Sequence, residues 1–61
     1  MVIPRKAKRL KVIFLIDTNY IKKGEERIVD KSANGLWSDG KYSYFVSMLR
    51  NDNVCHIEVL E

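Results

Sequence analysis

Sixty-one residues make one domain near the lower size limit for a self-sufficient core, and 46% hydrophobic with 31% charged residues excludes a disordered chain. A single cysteine excludes an internal disulfide and fits a reducing compartment, and one cysteine plus one histidine falls short of a four-ligand zinc site. The net charge of +3 is unevenly spread: residues 1–11 carry five basic side chains and no acid, whereas residues 12–61 carry six basic against eight acidic, or −2.

The chain opens with a basic arm, about residues 1–8, containing Arg5, Lys6 and Lys8, and the charge continues through Arg9 and Lys11 into the first apolar run. Pro4 disfavours regular structure at the start of the arm. The run Val12-Ile13-Phe14-Leu15-Ile16 ends at Asp17 without a small-residue cleavage site, so it is neither a secretory h-region nor a membrane span. A soluble, cytoplasmic protein is expected.

Residues 9–17 are β-branched and aromatic and predict a strand. At a two-residue period Leu10, Val12, Phe14 and Ile16 share one face, and Lys11, Ile13, Leu15 and Asp17 the other. The second face is apolar at its centre, so either the strand bends within a barrel or Ile13 and Leu15 meet another chain; barrel geometry is favoured.

Residues 17–24 form a loop with a helical turn closed by Gly24. Residues 25–31 predict a polar second strand, with Ile28 and Val29 as its apolar content, suited to an exposed or edge position. Ser32–Gly35 is a loose loop and Asp39-Gly40 a tight hairpin turn, which pairs Ser38 with Lys41, Trp37 with Tyr42 and Leu36 with Ser43. Trp37, Tyr42, Tyr44, Val46 and Met48 then share one face, and Leu36, Ser38, Lys41, Ser43, Phe45 and Ser47 the other. A helix over 44–50 is the weaker alternative to a strand there. Residues 49–53 make a turn or short 3₁₀ element, and 54–60 the last strand, with Cys55 inside and His56 pointing away.

His56 and Cys55 are strand neighbours on opposite faces, so they cannot act as base and nucleophile or chelate together. The three glycines are isolated turn residues that cradle no phosphate. The expectation is a non-enzymatic protein with no cofactor, no metal and no small-molecule substrate. Trp37, Tyr42 and Tyr44 form either the core or an exposed stacking platform. The core reading is favoured because a domain this small needs the area, and it leaves Phe45 outside.

Five short strands, with Lys23-Gly24-Glu25-Glu26, Trp37-Ser38-Asp39-Gly40-Lys41, Tyr44-Phe45-Val46 and Ile57-Glu58-Val59-Leu60 at their turns and ends, resemble an SH3-like small β-barrel. The resemblance implies an all-β, five-stranded barrel. A looser similarity connects the chain to small archaeal chromatin proteins that bind DNA by a lysine-rich, Trp-bearing sheet, although this chain has fewer lysines and no C-terminal helix. It lacks the proline-binding aromatic pattern of signalling SH3 domains. In size it is similar to accessory proteins of bacteriophages and mobile elements. Two functions follow as expectations. The first is binding of a protein partner, or homodimerisation, through Ile13, Leu15, Leu36 and Phe45. The second is nucleic-acid binding through Arg5, Lys6, Lys8, Arg9 and Lys11, aided by Trp37 or Tyr42 where exposed.

Overall fold

Alternating apolar residues form the first strand, β1 (Arg9–Phe14), an interior strand of one antiparallel sheet in a computed structural model that describes residues 3–61. The remaining elements are β2 (Glu26–Lys31), β3 (Trp37–Ser38), β4 (Ser43–Tyr44), the single-turn helix α1 (Val46–Leu49) and β5 (Cys55–Val59). The strand order is β4-β3-β2-β1-β5: a four-stranded meander whose fifth strand returns to β1. Residues 1–2 of the expected basic arm lie outside the described residues.

The inner face follows the two-residue period. Leu10, Val12 and Phe14 of β1, Val29 of β2, Trp37, Tyr44, Cys55 and Ile57 are buried, joined by Ala7, Ile21 and Leu49 from outside the sheet. Register matches these faces rung by rung, with Leu10 opposite Val29, Val12 opposite Ile57 and Phe14 opposite Cys55. Cys55 is inside and His56 exposed, as alternation requires.

The sheet curls without closing. Phe14 and Tyr44 sit on strands with two others between them, which in a flat sheet means a separation of about 14 Å. Their ring centroids are 5.9 Å apart. The expected barrel is therefore corrected to an open, curled sheet, with β4 and β5 as its two edges. Closure fails because β3 and β4 have two residues each and the chain leaves the sheet immediately after Tyr44.

That departure overturns the strand expected over 44–48. Beyond Trp37 there is no β3 ladder to receive another β4 residue, so residues 45–50 bond among themselves instead: Leu49 N–H to Phe45 C=O at 3.2 Å and Arg50 N–H to Val46 C=O at 2.9 Å. The turn delivers Leu49, fully buried, to the inner face.

The central hairpin also differs. Ser38 pairs with Ser43 and Trp37 with Tyr44, giving a four-residue loop in place of two. Asp39 is the reason: its Oδ1 accepts the N–H groups of Lys41 (2.8 Å) and Tyr42 (2.7 Å), and its own N–H bonds Tyr42 C=O at 3.1 Å. This Asx-type turn outcompetes the tight one. The slip is two residues, so the residues that remain in the strands keep their faces, with Trp37 1% exposed, and Phe45 just after β4 stays outside at 68% exposed.

Three smaller expectations change. β1 stops at Phe14, leaving Ile16 outside the core, because the chain turns away after Leu15 N–H bonds Val54 C=O. β2 is exposed along most of its length, as its polarity leads one to expect, but it lies between β1 and β3 and is not an edge. The loop before it holds no helical turn: Gly24, at φ +90°, supplies the left-handed position of a Lys22–Glu25 turn closed by Glu25 N–H to Lys22 C=O.

Trp37→Ala removes the largest fully buried side chain. Truncations of this kind cost about 3–5 kcal/mol, comparable to the whole stability of a small domain. The variant is expected to be unfolded by circular dichroism at 25 °C, while wild-type Trp37 emits at short wavelength and resists acrylamide quenching.

Candidate functional site

The loop that crosses the open end of the curl carries an exposed aromatic. Thr18 organises it: the hydroxyl accepts Ile21 N–H at 3.0 Å, and Thr18 N–H bonds Ile21 C=O at 2.7 Å. Ile21 is thereby drawn into the core while Tyr20 stands out, 72% exposed. Across from it the Asp39 turn presents Tyr42, half-buried, with the two rings 5.3 Å apart and tilted by 34°. Lys41 Nζ lies 5.3 Å from the centre of the Tyr42 ring, within cation–π range. Together with Phe14, Ile21, Tyr44 and Met48 these tyrosines line a mainly apolar groove of about 220 Å³. On the other side of the same pair, Glu26, Arg27 and Asp39 line a polar hollow of about 340 Å³.

Asp39 holds the groove together. Its side chain is 8% exposed, and besides the two backbone N–H groups its Oδ2 accepts Tyr44 Oη–H at 2.7 Å and faces Arg27 Nε at 3.8 Å. Arg27 is anchored from the other side by Glu25 at 2.5 Å. Burial pushes the Asp39 carboxyl up, but the hydrogen bonds from Tyr42, Tyr44 and Lys41, with the Arg27 charge, outweigh it and hold the group below its ordinary value. Burial and the bond to Asp39 raise the Tyr44 phenol far above its usual range. The buried Cys55 thiol is likewise pushed up. Among the described residues no three His, Cys, Asp or Glu side chains gather as a metal site.

The residues expected from sequence fall into separate places. Ile13 is half-buried on the outer face, between Glu26 and His56 on its rung. Leu15, 38% exposed, follows just beyond β1. Leu36 is half-buried in the β2–β3 turn, where its carbonyl accepts both the N–H and the hydroxyl of Ser32. Continuing the β3–β4 register by one rung sets Phe45 opposite Leu36. The four therefore fall into two pairs, Ile13 with Leu15 and Leu36 with Phe45, toward opposite ends of β2. Trp37 lies in the core and offers no face to a base.

The cations divide as well. Arg9 bonds Asp30 at 2.8 Å and Glu61 at 2.6 Å; the Asp30 hydrogen bond and charge raise its already high pKa. Lys11 lies 3.5 Å from Glu26. Arg5, Lys6 and Lys8 are exposed, yet the arm is anchored, since Ala7 is buried and its N–H bonds Pro4 C=O at 3.0 Å. Sequence reading missed Tyr20 and Lys31. The hydroxyl-turn potential of Thr18 three residues before Ile21 is the one local signal for Tyr20, and only the strand register reveals Lys31.

Comparison of the chain with protein families, with curated proteins and with solved structures finds no match.

Because the Asp39 carboxyl titrates lower in the folded state than its ordinary value of 3.8, its contribution to stability is complete above that pH and is lost as pH falls through the lower folded value. Asp39→Asn is expected to flatten the loss of stability as pH falls below 3.8 and to lower stability at pH 7, read from urea midpoints across pH.

Proposed function

We propose that this chain is a small, non-enzymatic interaction domain that binds a protein partner in the Tyr20–Tyr42 groove. One observation carries the reading: a 72% exposed tyrosine is held in place by a hydroxyl turn, against a second ring set by a charged turn, over an apolar floor. Tyrosine suits such a role because it offers a large, rigid contact area with a polar tip, and it is enriched among residues that dominate binding energy. A groove of about 220 Å³ accommodates a few side chains of an extended segment, which corresponds to a small, transient interface. Among the described residues no helix is long and apolar enough to cross a membrane, and the proposed setting is the cytoplasm. The resemblance to SH3-like barrels and to phage or mobile-element accessory proteins fits a module of this kind, although fold by itself assigns no function.

The test is selection from a library of random extended peptides, followed by amide chemical-shift mapping. Selected peptides are expected to perturb residues 18–21, 41–44 and 48. Tyr20→Ala is expected to weaken binding at least about tenfold with stability changed by less than about 0.5 kcal/mol. Binders that ignore Tyr20→Ala and Tyr42→Ala, or that shift the outer face around Ile13, would sink the proposal. A monomeric mass by sedimentation removes self-association through the same groove.

A further inference from the structure

Lys8 and Lys31 oppose each other across the β1–β2 ladder. The register that pairs Arg9 with Asp30 continues by one rung, and Lys31 N–H bonds Lys8 C=O at 3.1 Å. Residues opposite one another on an antiparallel pair share a face, with Cβ atoms about 4.5–5.5 Å apart, and like charges there are destabilising. Both lysines are exposed. The neighbouring rung carries the reverse arrangement, an Arg9–Asp30 ion pair at 2.8 Å.

Two more cations stand at this end. The Pro4–Ala7 turn, pinned by buried Ala7, holds Arg5 and Lys6 close to the fold and not on a free tail. Among the described residues none of Arg5, Lys6, Lys8 and Lys31 forms an ion pair, whereas Arg9, Lys11 and Arg27 all do. The nearby Glu61 is already engaged: its side chain bonds Arg9, and its main-chain oxygen accepts the N–H groups of Lys8 and Arg9.

We infer that this end of the sheet, Arg5, Lys6, Lys8 and Lys31, binds the phosphate backbone of a nucleic acid. A phosphodiester strand supplies closely spaced charge, one per about 1.7 Å of duplex axis, so several phosphates reach a compact cluster at once. The lysines sit on a rigid two-stranded ladder, unlike the amphipathic helix that seats basic side chains on a lipid surface. Trp37, the aromatic on the Lys31 rung, is buried and adds no stacking, so binding is insensitive to sequence and steep in salt. The site is separate from the tyrosine groove, whose wall residue Phe14 lies about 20 Å further along β1.

The experiment is fluorescence anisotropy of the full chain with a mixed-sequence duplex and a single strand, between about 50 and 200 mM salt. Four neutralised phosphates predict a slope of log K against log salt of about −3.6 on duplex, and Lys8→Gln with Lys31→Gln brings it to about −1.8. The same charge change at Lys22→Gln with Lys23→Gln, in the distant β1–β2 loop, is expected to alter the affinity less than about twofold. Lys31→Glu is expected to raise the melting midpoint, by pairing with Lys8, while weakening binding more than about tenfold. Opposite movement of stability and affinity is a result that a purely structural role does not produce. Absence of binding at the lowest salt, equal effects of the two glutamine pairs, or binding to anionic vesicles without binding to DNA or RNA would each overturn the inference.

Discussion

A single sheet of short strands has one face to bury, and among the described residues no second sheet or long helix lies over it. The fold solves this by curling the sheet until Phe14 and Tyr44 meet, and by capping the remaining opening with irregular segments. Ala7 comes from the N-terminal turn, Ile21 from the Thr18 turn and Leu49 from α1. Each is the one buried side chain of its segment, with Ile3 beside Ala7 and Val46 and Met48 beside Leu49 packing partly against the same core, and each segment is held by local backbone hydrogen bonds. Trp37, the largest fully buried side chain, contributes the most volume to this core, which a curled sheet with so few core residues needs.

The same economy explains why structure and candidate site share one carboxylate. Asp39 builds the β3–β4 turn through Lys41 and Tyr42, tethers the buried Tyr44 ring by its hydroxyl, and faces Arg27 on β2. A turn residue in a larger domain can be left to solvent. Here it also sets how the short hairpin sits against the rest of the sheet, since β2 and β3 share only two register positions. The exposed face of Tyr42 is thereby a by-product of the bonds that secure the core, and the groove inherits the rigidity of the turn.

Legibility in sequence tracked the range of the interaction. Strand faces were readable because the two-residue period is local. Inside Trp37 and outside Phe45, and inside Cys55 and outside His56, follow from it even though the hairpin register is off by two. Barrel closure was not readable, since it depends on edges distant in sequence and on β3 and β4 ending after two residues. The single turn of α1 carries β-forming Val46 and is helical because its backbone has no strand partner, a tertiary reason. The basic arm looked uniform in sequence, yet the ladder gives Arg9 its acid at position 30, twenty-one residues away, and denies one to Lys8.

That last contrast connects the core to the surface. A one-residue slip of β1 against β2 would turn the whole apolar set outward, which hydrophobic burial forbids. A two-residue slip keeps the faces but sets Leu10 opposite Arg27 or Lys31 in place of Val29, and it also breaks the Arg9–Asp30 pair. The apolar match of Leu10 with Val29 therefore selects one register, and that register places Lys8 opposite Lys31. Repulsion between two exposed lysines costs at most about 1 kcal/mol, less than burial of a single Leu or Val side chain contributes. The core thus sustains a concentrated positive charge at one end of the sheet, and removal of that repulsion by an incoming anion is free energy available to binding.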